Sequence, residues 1–291
     1  MKIAIVIATL GRSLELSELL RQLAEQTHLP SSIVVSVASA QDLPPEIPNG
    51  VQITTGSKGS SAQRNRGMEK VLGDCDLLAF LDDDYLPSVH ALARMEALFA
   101  RFPEVVGANG HLLADGIHSA GIQYSEALAL LRAYDIDPQE DEPRVLGSPV
   151  GLYGCNMVYR ASAIGQTRFD EKLPLYGWQE DIDFSAQLSP RGRLVMTDAF
   201  VGVHRGVKGG RTSGLKFGYS QIVNPIYLSR KGTMPWWYAA KIISRNLLAN
   251  HIRVLRPEPW VDRRGRLYGN WLGIRDVLMS RDDPRNILCL Q

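Results

Sequence analysis

Leu77-Leu78-Ala79-Phe80-Leu81-Asp82-Asp83-Asp84 decides the reading of this chain. Five apolar residues run without a polar break and then meet three consecutive carboxylates. An apolar run with no alternation suits a central strand covered on both faces. Three adjacent acids repel one another, so a buried strand that ends in them needs compensation. A hard divalent cation supplies it: such an ion takes oxygen ligands at roughly 2.0–2.2 Å and commonly completes its shell with substrate phosphates. A solvated turn is the commoner setting for an acidic triplet. Here the strand in front of it favours a site, because ligands in open α/β sheets gather outside the carboxyl ends of the strands. The triplet therefore predicts a metal–diphosphate site.

The flanking sequence supplies a sheet for that strand. Residues 3–8 read as a buried strand closed by Thr9-Leu10-Gly11-Arg12. Residues 13–26 read as a helix with Ser13 as N-cap and Leu16, Leu19, Leu20 and Leu23 at helical spacing. Residues 33–37 give a second strand, 41–50 a Pro-rich loop, 51–54 a short third strand and 60–71 a helix. Beyond the acids, 88–102 predicts a helix capped by Ser88. This alternation predicts a parallel α/β sheet with right-handed crossovers. Residues 104–150 read as irregular, with 135–142 an exposed loop. An apolar, Gly-punctuated pattern resumes over 151–160, 179–188 reads as helix and 193–203 as a late strand. Past Arg205 come Gly-rich turns and then helical segments dense in aromatic and basic residues. No internal repeat or low-complexity tract is present.

Composition narrows the class. The 291 residues suffice for one large domain or a domain with an extension, and 45% hydrophobic with 22% charged residues excludes a disordered chain. Cys75, Cys155 and Cys289 are far apart and odd in number, which favours a reduced, cytoplasmic protein. The opening run Met1–Ala8 is too short for a signal peptide, and no stretch of 18 uncharged apolar residues predicts a membrane span. The net charge of +1 hides an asymmetry. Residues 205–291 hold 16 Lys and Arg against 5 Asp and Glu, a balance of +11, whereas residues 1–204 carry −10. The basic end thus faces an anionic partner: a membrane surface, nucleic acid or the chain's own acidic half.

Further motifs stand in a recognisable order. Gly59-Ser60-Ser61-Ala62-Gln63-Arg64-Asn65-Arg66-Gly67 lacks P-loop spacing, yet a Gly- and Ser-rich helix start with Arg64 can set donors and a cation near a phosphate or base. Downstream come Gly154-Cys155-Asn156-Met157-Val158-Tyr159-Arg160, Tyr176-Gly177-Trp178-Gln179-Glu180-Asp181-Ile182-Asp183 and His204-Arg205-Gly206. With Ile5–Arg12, Arg64-Asn65-Arg66-Gly67 and Leu81–Asp84, this order resembles family 2 of the glycosyltransferases, over residues 1–230. One departure concerns the second strand, where the family has an Asp that helps bind the nucleobase. This chain reads Val37-Ala38-Ser39-Ala40, with Asp42 a few residues later as the substitute.

The resemblance implies a GT-A fold, Rossmann-like with a mostly parallel central sheet and flanking helices, followed by a basic helical arm. The catalytic domain would span 1–212, with a nucleotide-sugar half over 1–103 and an acceptor half over 104–212; the arm would span 213–291. It implies an inverting transfer from a nucleotide-diphospho-sugar to a glycan or lipid-linked acceptor in cell-surface polysaccharide synthesis. Asp84 and His204 would hold Mn2+ or Mg2+, and a His ligand favours manganese. Asp82 would hold the ribose or a metal-bound water. Thr9, Leu10, Arg12, Asp42, Arg64 and Asp83 would line the nucleotide side, Asp83 with the least definite role. Asp181 would be the general base, with Trp178 and Glu180 toward the acceptor. Glu180 and Asp183 compete for the base role, since acids in a first helical turn are also favoured by the macrodipole. Trp178 suits stacking on a sugar but equally a core position.

The arm carries Trp236-Trp237-Tyr238 with Lys241, Arg245, Arg253 and Arg256, which suits either an interfacial helix on anionic lipid or packing on the acidic half. No nucleic-acid partner is expected, and the location implied is the cytoplasm or the inner face of the cell membrane. Two other readings compete. A sugar nucleotidyltransferase would carry a Gly-rich, Lys-containing signature after the first strand, which Thr9-Leu10-Gly11-Arg12-Ser13 does not provide. A non-catalytic carbohydrate- or membrane-binding module would not need Asp82, Asp84, Asp181 and His204 together.

Overall fold

In the computed structural model, which describes residues 1–136, 142–210 and 212–290, the first part of the chain alternates strands and helices. Strand β1 (Ile3–Ala8) leads through α1 (Ser13–Ala24) to β2 (Ser32–Val37) and β3 (Val51–Thr55), and α2 (Ser60–Glu69) leads to β4 (Leu77–Asp82). Then follow β5 (Tyr85–Pro87), α3 (Ala91–Arg101), β6 (Val105–Asp115), α4 (Tyr124–Ile136), β7 (Val145–Gly147) and β8 (Asn156–Arg160). Helices α5 (Ala161–Ile164) and α6 (Glu180–Leu188) precede β9 (Arg193–His204). Among the described residues three α-helices follow, α7 (Gly214–Lys231), α8 (Trp236–Arg253) and α9 (Arg263–Leu278), and then a short 3-10 turn (Pro284–Cys289).

Among the described residues all nine strands join one sheet in the order β3-β2-β1-β4-β8-β6-β9-β5, with β7 also on β9. The predicted parallel register holds across β3, β2, β1 and β4. Beyond β4 the sheet is mixed: β8 runs antiparallel to β4 and β6, while β6 and β9 are parallel. Alternate residues of the central strands face opposite cores. Ile3, Ile5, Ile7, Leu77, Ala79 and Leu81 pack under α1 and α3. Ala4, Val6, Leu78 and Phe80 pack on the other side with Met68, Phe169 and Phe184. Phe80 stands edge-on to Phe169 at 5.1 Å and to Phe184 at 6.1 Å. Burial on both faces is the physical reason the run before Asp82 has no polar break.

Three local expectations change. Helix α1 starts at Ser13, so Arg12 takes the cap position without capping, its side chain being engaged elsewhere. Ser88 does not cap α3. Tyr85–Pro87 form the edge strand β5 on β9, the helix begins only at Ala91, and the Ser88 hydroxyl donates to Asp135 at 2.5 Å. Pro87 fits there because the edge strand of a sheet has a side that needs no N–H. Third, the stretch read as irregular holds the eleven-residue β6 and the thirteen-residue α4. Gly107, Asn109 and Gly110 break the apolar pattern of β6, and its register on β9 shifts three times. Of the predicted loop at 135–142, Asp135 belongs to α4 and residues 137–141 lie outside the described residues. The three cysteines are free.

The inner helix of the arm is built into the sheet domain. Lys231 at the end of α7 reaches Asp170 at 2.7 Å and Asp183 at 2.8 Å, and Asn224 donates to the Trp178 carbonyl at 2.8 Å. Helices α7 and α9 cross on glycine: a Cβ at Gly269 would stand 2.0 Å from the Leu215 carbonyl oxygen. A buried amide network holds the three helices together, with Asn250 donating to Gln221 at 2.9 Å and to Asn270 at 2.8 Å. Such a network specifies one packing only when its members are satisfied, as these are. Among the described residues no helix is long and apolar enough to cross a membrane.

Candidate active site

The acids at the end of β4 divide by direction. Asp83 turns into the protein, where it accepts from the Thr9 hydroxyl at 2.7 Å and from Arg12 at 2.8 Å. Asp82 accepts from Arg64 at 2.8 Å. Asp84 accepts from the Val207 amide through Oδ2 at 2.7 Å, and its Oδ1 is buried with no hydrogen-bond donor. That Oδ1 faces His204 Nε2 at 3.4 Å. The short β5 explains the meeting: Tyr85 pairs with His204 across the sheet, which sets the last residue of β9 beside Asp84.

His204 is oriented from behind. Its Nδ1 lies 2.8 Å from Asp115 Oδ1 and 3.2 Å from the Tyr153 hydroxyl, which leaves Nε2 directed at Asp84. Burial opposes a charge on this ring, yet Asp115 and Asp84 hold its pKa up at about 10. Burial would also raise Asp84, but the facing His204 and Arg12 outweigh it and leave the carboxyl well below the usual range. Asp83 moves the other way: burial and the neighbouring Asp84 push it up against Arg12 and Thr9.

Asp82, Asp84 and His204 each offer one ligand atom, and these atoms lie within 4.8 Å of one another. Two carboxylate oxygens, one of them buried without a donor, and the His204 nitrogen, once it gives up its proton, fit a divalent ion. The nitrogen favours manganese over magnesium.

Arg64 on α2 connects these acids to the second cluster. Its guanidinium donates to Asp82, to the Gly154 carbonyl at 3.1 Å and to Glu180, with which it forms a buried ion pair. Burial, then the nearby Asp181, push Glu180 up to about 8 against the pull of Arg64. Glu180 also accepts from Ser60 at 3.3 Å. Asp183 is fully buried and held by Lys231, Thr233 and Gln187. Asp181 is half-buried and accepts from two backbone amides, Gly154 at 3.0 Å and Ile182 at 2.8 Å. Burial raises its pKa, and Asp82 adds to the rise, against Arg64 and those amides. Of the three acids opening α6, Asp181 alone has no side-chain partner among the described residues.

The chain enters α6 through a tight path with positive φ at Leu175, Gly177 and Gln179 (60°, 61° and 74°). For Leu and Gln this backbone is costly, and such costs gather at sites where geometry is imposed. Trp178 lies in this turn, half-buried, with its ring edge-on to Phe217 of α7 at 5.9 Å. On the nucleotide side, Arg12 clamps the loop after β9 by donating to the carbonyls of Gly209 at 2.8 Å and Val207 at 3.0 Å. Leu10 lies under the same loop, since a Cβ on Gly210 would stand 2.4 Å from its carbonyl oxygen. Asp42 braces the loops after β1 and β2, accepting from the amides of Gly11 at 2.8 Å, Ser39 at 2.9 Å and Ala38 at 3.2 Å. Both its oxygens are occupied by backbone.

Sequence reasoning missed Asp115, Tyr153 and Gly154. Asp115 ends a strand that the sequence does not announce, and nothing in its neighbours marks it. Gly154 stood in a quoted motif, but its amide acts through the backbone, which residue type does not reveal.

Comparison with known proteins agrees with this fold. The family described as "Glycosyl transferase family 2" matches residues 4–165, more than half of the chain. The "Uncharacterized glycosyltransferase YwdF" of Bacillus subtilis (strain 168) is 38% identical over 93 residues, 30% of this chain and 35% of that protein. The match thus spans about a third of that relative's length. Among solved structures, S. aureus TarS 1-349 in complex with UDP superposes with a TM-score of 0.54 at 14% identity, covering 99% of this chain and 90% of that one. GalNAc-T7 with UDP, GalNAc and Mn2+ gives 0.53 at 13% identity, covering 99% and 58%. At such identities the likeness speaks for the fold, which is the GT-A arrangement with a helical C-terminal region.

Proposed function

The chain belongs to glycosyl transferase family 2, and on that premise we propose that it transfers a sugar, with inversion, from a nucleotide-diphospho-sugar to a hydroxyl of a glycan or lipid-linked acceptor. One observation carries this reading: the buried guanidinium of Arg64 binds Asp82 at the end of β4 and Glu180 at the start of α6. Through it the strand-end acids are tied to the start of α6, where Asp181 stands, which suits a displacement with a leaving diphosphate on one side and a base on the other. TarS in complex with UDP and with UDP-GlcNAc, and GalNAc-T7 with UDP, GalNAc and Mn2+, support a nucleotide-sugar donor on this fold.

Asp84 and His204, with Asp82 directly or through water, would hold the divalent ion, with manganese preferred. When bound, it supplies positive charge against the leaving diphosphate. Asp115 holds the His204 ring so that Nε2 faces the ion's position. Arg12 keeps the loop at 207–209 over the nucleotide side by its bonds to Val207, Gly209 and Asp83. Asp42 shapes the loops that receive the nucleotide by bracing the amides of Gly11, Ala38 and Ser39. Glu180 fixes Arg64 and through it Asp82, so its role toward the acceptor is indirect. Trp178 shapes the acceptor side from its place against Phe217.

Asp181 takes the proton of the acceptor hydroxyl as that oxygen attacks the anomeric carbon. A base is most effective when its pKa is drawn toward the working pH, and burial raises that of Asp181. The product of such a transfer suits cell-surface polysaccharide assembly from the inner face of the membrane.

The test is Asp181→Asn. Transfer should fall about 10²- to 10⁴-fold, while uridine diphosphate and Mn2+ bind as to the parent by calorimetry. Transfer at the parent rate would remove Asp181 as the base. Failure of the parent to bind any nucleoside diphosphate with Mn2+ would overturn the donor reading.

A further inference from the structure

The outer faces of α8 and α9 are uncovered, and they share one composition. Trp237, Lys241, Ser244, Leu248 and Ile252 recur at helical spacing along α8, with Leu255 just past its end. Trp237 is 62% exposed and Leu255 84%. On α9 the same spacing selects Arg264, Tyr268, Trp271, Arg275 and Leu278, with Trp271 55% exposed and Leu278 81%. His251 and Trp271 meet edge-on at 5.7 Å and join the two stripes into one surface.

The charges on that surface are one-sided. Residues 232–257 contain no Asp or Glu. The acids that follow are already engaged. Glu258 pairs with Arg253 and Arg263, Asp276 with Arg275 and the Tyr219 hydroxyl, and Asp262 caps α9 through the Gly265 amide. Lys241, Arg245, Arg256 and Arg264 make no ion pair among the described residues.

We propose that this surface docks the protein on an anionic lipid bilayer, with the indole, phenol and aliphatic side chains in the headgroup boundary and the unpaired cations on lipid phosphates. A contiguous exposed apolar patch marks an interaction site, and Trp and Tyr beside Lys and Arg suit a boundary that is apolar on one side and wet on the other. Charge selects the occupant. A second copy of the chain would bring like charges face to face in a two-fold contact. A nucleic acid would satisfy the cations but leave Leu248, Ile252, Leu255 and Leu278 in water. An anionic leaflet satisfies both sets.

The surface begins beside the candidate active site. Tyr238 and Ala239, in the first turn of α8, pack with Leu173 and Ile182, the latter next to Asp181. A lipid-borne acceptor can therefore reach the base while its anchor stays in the bilayer. That consequence rests on the function proposed above, whereas lipid binding does not, so the two fail separately.

Flotation of the purified full chain with vesicles of phosphatidylcholine alone, or of an equimolar mixture with phosphatidylglycerol, tests the proposal. Binding should require the anionic lipid and weaken with added salt. The pair Lys241→Glu and Arg245→Glu should reduce it about 10- to 30-fold, with an unchanged circular-dichroism melting curve. Leu248→Ser with Leu278→Ser should abolish the blue shift of tryptophan fluorescence on vesicles. No flotation with the mixed vesicles, equal binding by the charge-reversed variant, or a dimer in solution that this variant dissociates would each overturn it. Binding of an RNA oligomer more tightly than the mixed vesicles would do so too.

Discussion

The site at the strand ends and the outer face of the arm treat charge in opposite ways. At the strand ends, Arg12, Arg64 and His204, buried or half-buried, each stand against two carboxylates at hydrogen-bond or ion-pair distance. On the arm, Lys241, Arg245, Arg256 and Arg264 face outward with no acid opposite. A buried charge must be matched where it stands, because removing its hydration costs several kcal/mol per ion. An exposed one keeps its water until a partner arrives. Side chains of one chemical type therefore mark an internal framework in one place and a docking surface in the other.

The sharpest way to break the comparison is to remove one cation from each region. Arg64→Met strands Asp82 and Glu180 and should destabilise the fold by about 3–5 kcal/mol in urea unfolding. Arg245→Met should stay within about 0.5 kcal/mol of the parent. Equal losses would mean that the arm's cations are matched as tightly as those at the strand ends.

A smaller effect is expected one step behind the metal position. Asp115→Asn keeps the shape but removes the charge that orients His204, and Mn2+ affinity by calorimetry should fall about 10- to 100-fold. Unchanged affinity would reduce Asp115 to a structural partner.

The smallest signal is the pH profile. Asp181 must be ionised to accept a proton, and burial raises its pKa. As pH falls, kcat should therefore begin to decline above the ordinary Asp value of about 3.9. A rate that holds level down to that value would show an unperturbed base, and the site would then be wetter than its geometry implies.

The sequence announced the framework more clearly than its completion. The strands around Phe80 were legible because burial on two faces forces an unbroken apolar run. That Asp82, Asp84 and His204 come together was legible only through the order of motifs that the family resemblance supplied. Strand β5 was not, since three residues such as Tyr85-Leu86-Pro87 become a strand only when β9 passes beside them. Nor was Asp115, whose meaning comes from a histidine 89 positions away. The arm was half legible: its aromatic and basic composition was plain, but both expected uses of it were open. In the fold, α7 packs on the acidic half, while α8 and α9 keep their outer faces clear.

The bond between Asp83 and Arg12 bears on inheritance. The two residues are 71 positions apart. Loss of Arg12 strands Asp83 beside Asp84, whereas loss of Asp83 leaves Arg12 a second carboxylate, Asp84 at 3.4 Å. Among descendants of this chain, Arg12 should therefore drift more slowly than Asp83, and its loss should follow that of Asp83.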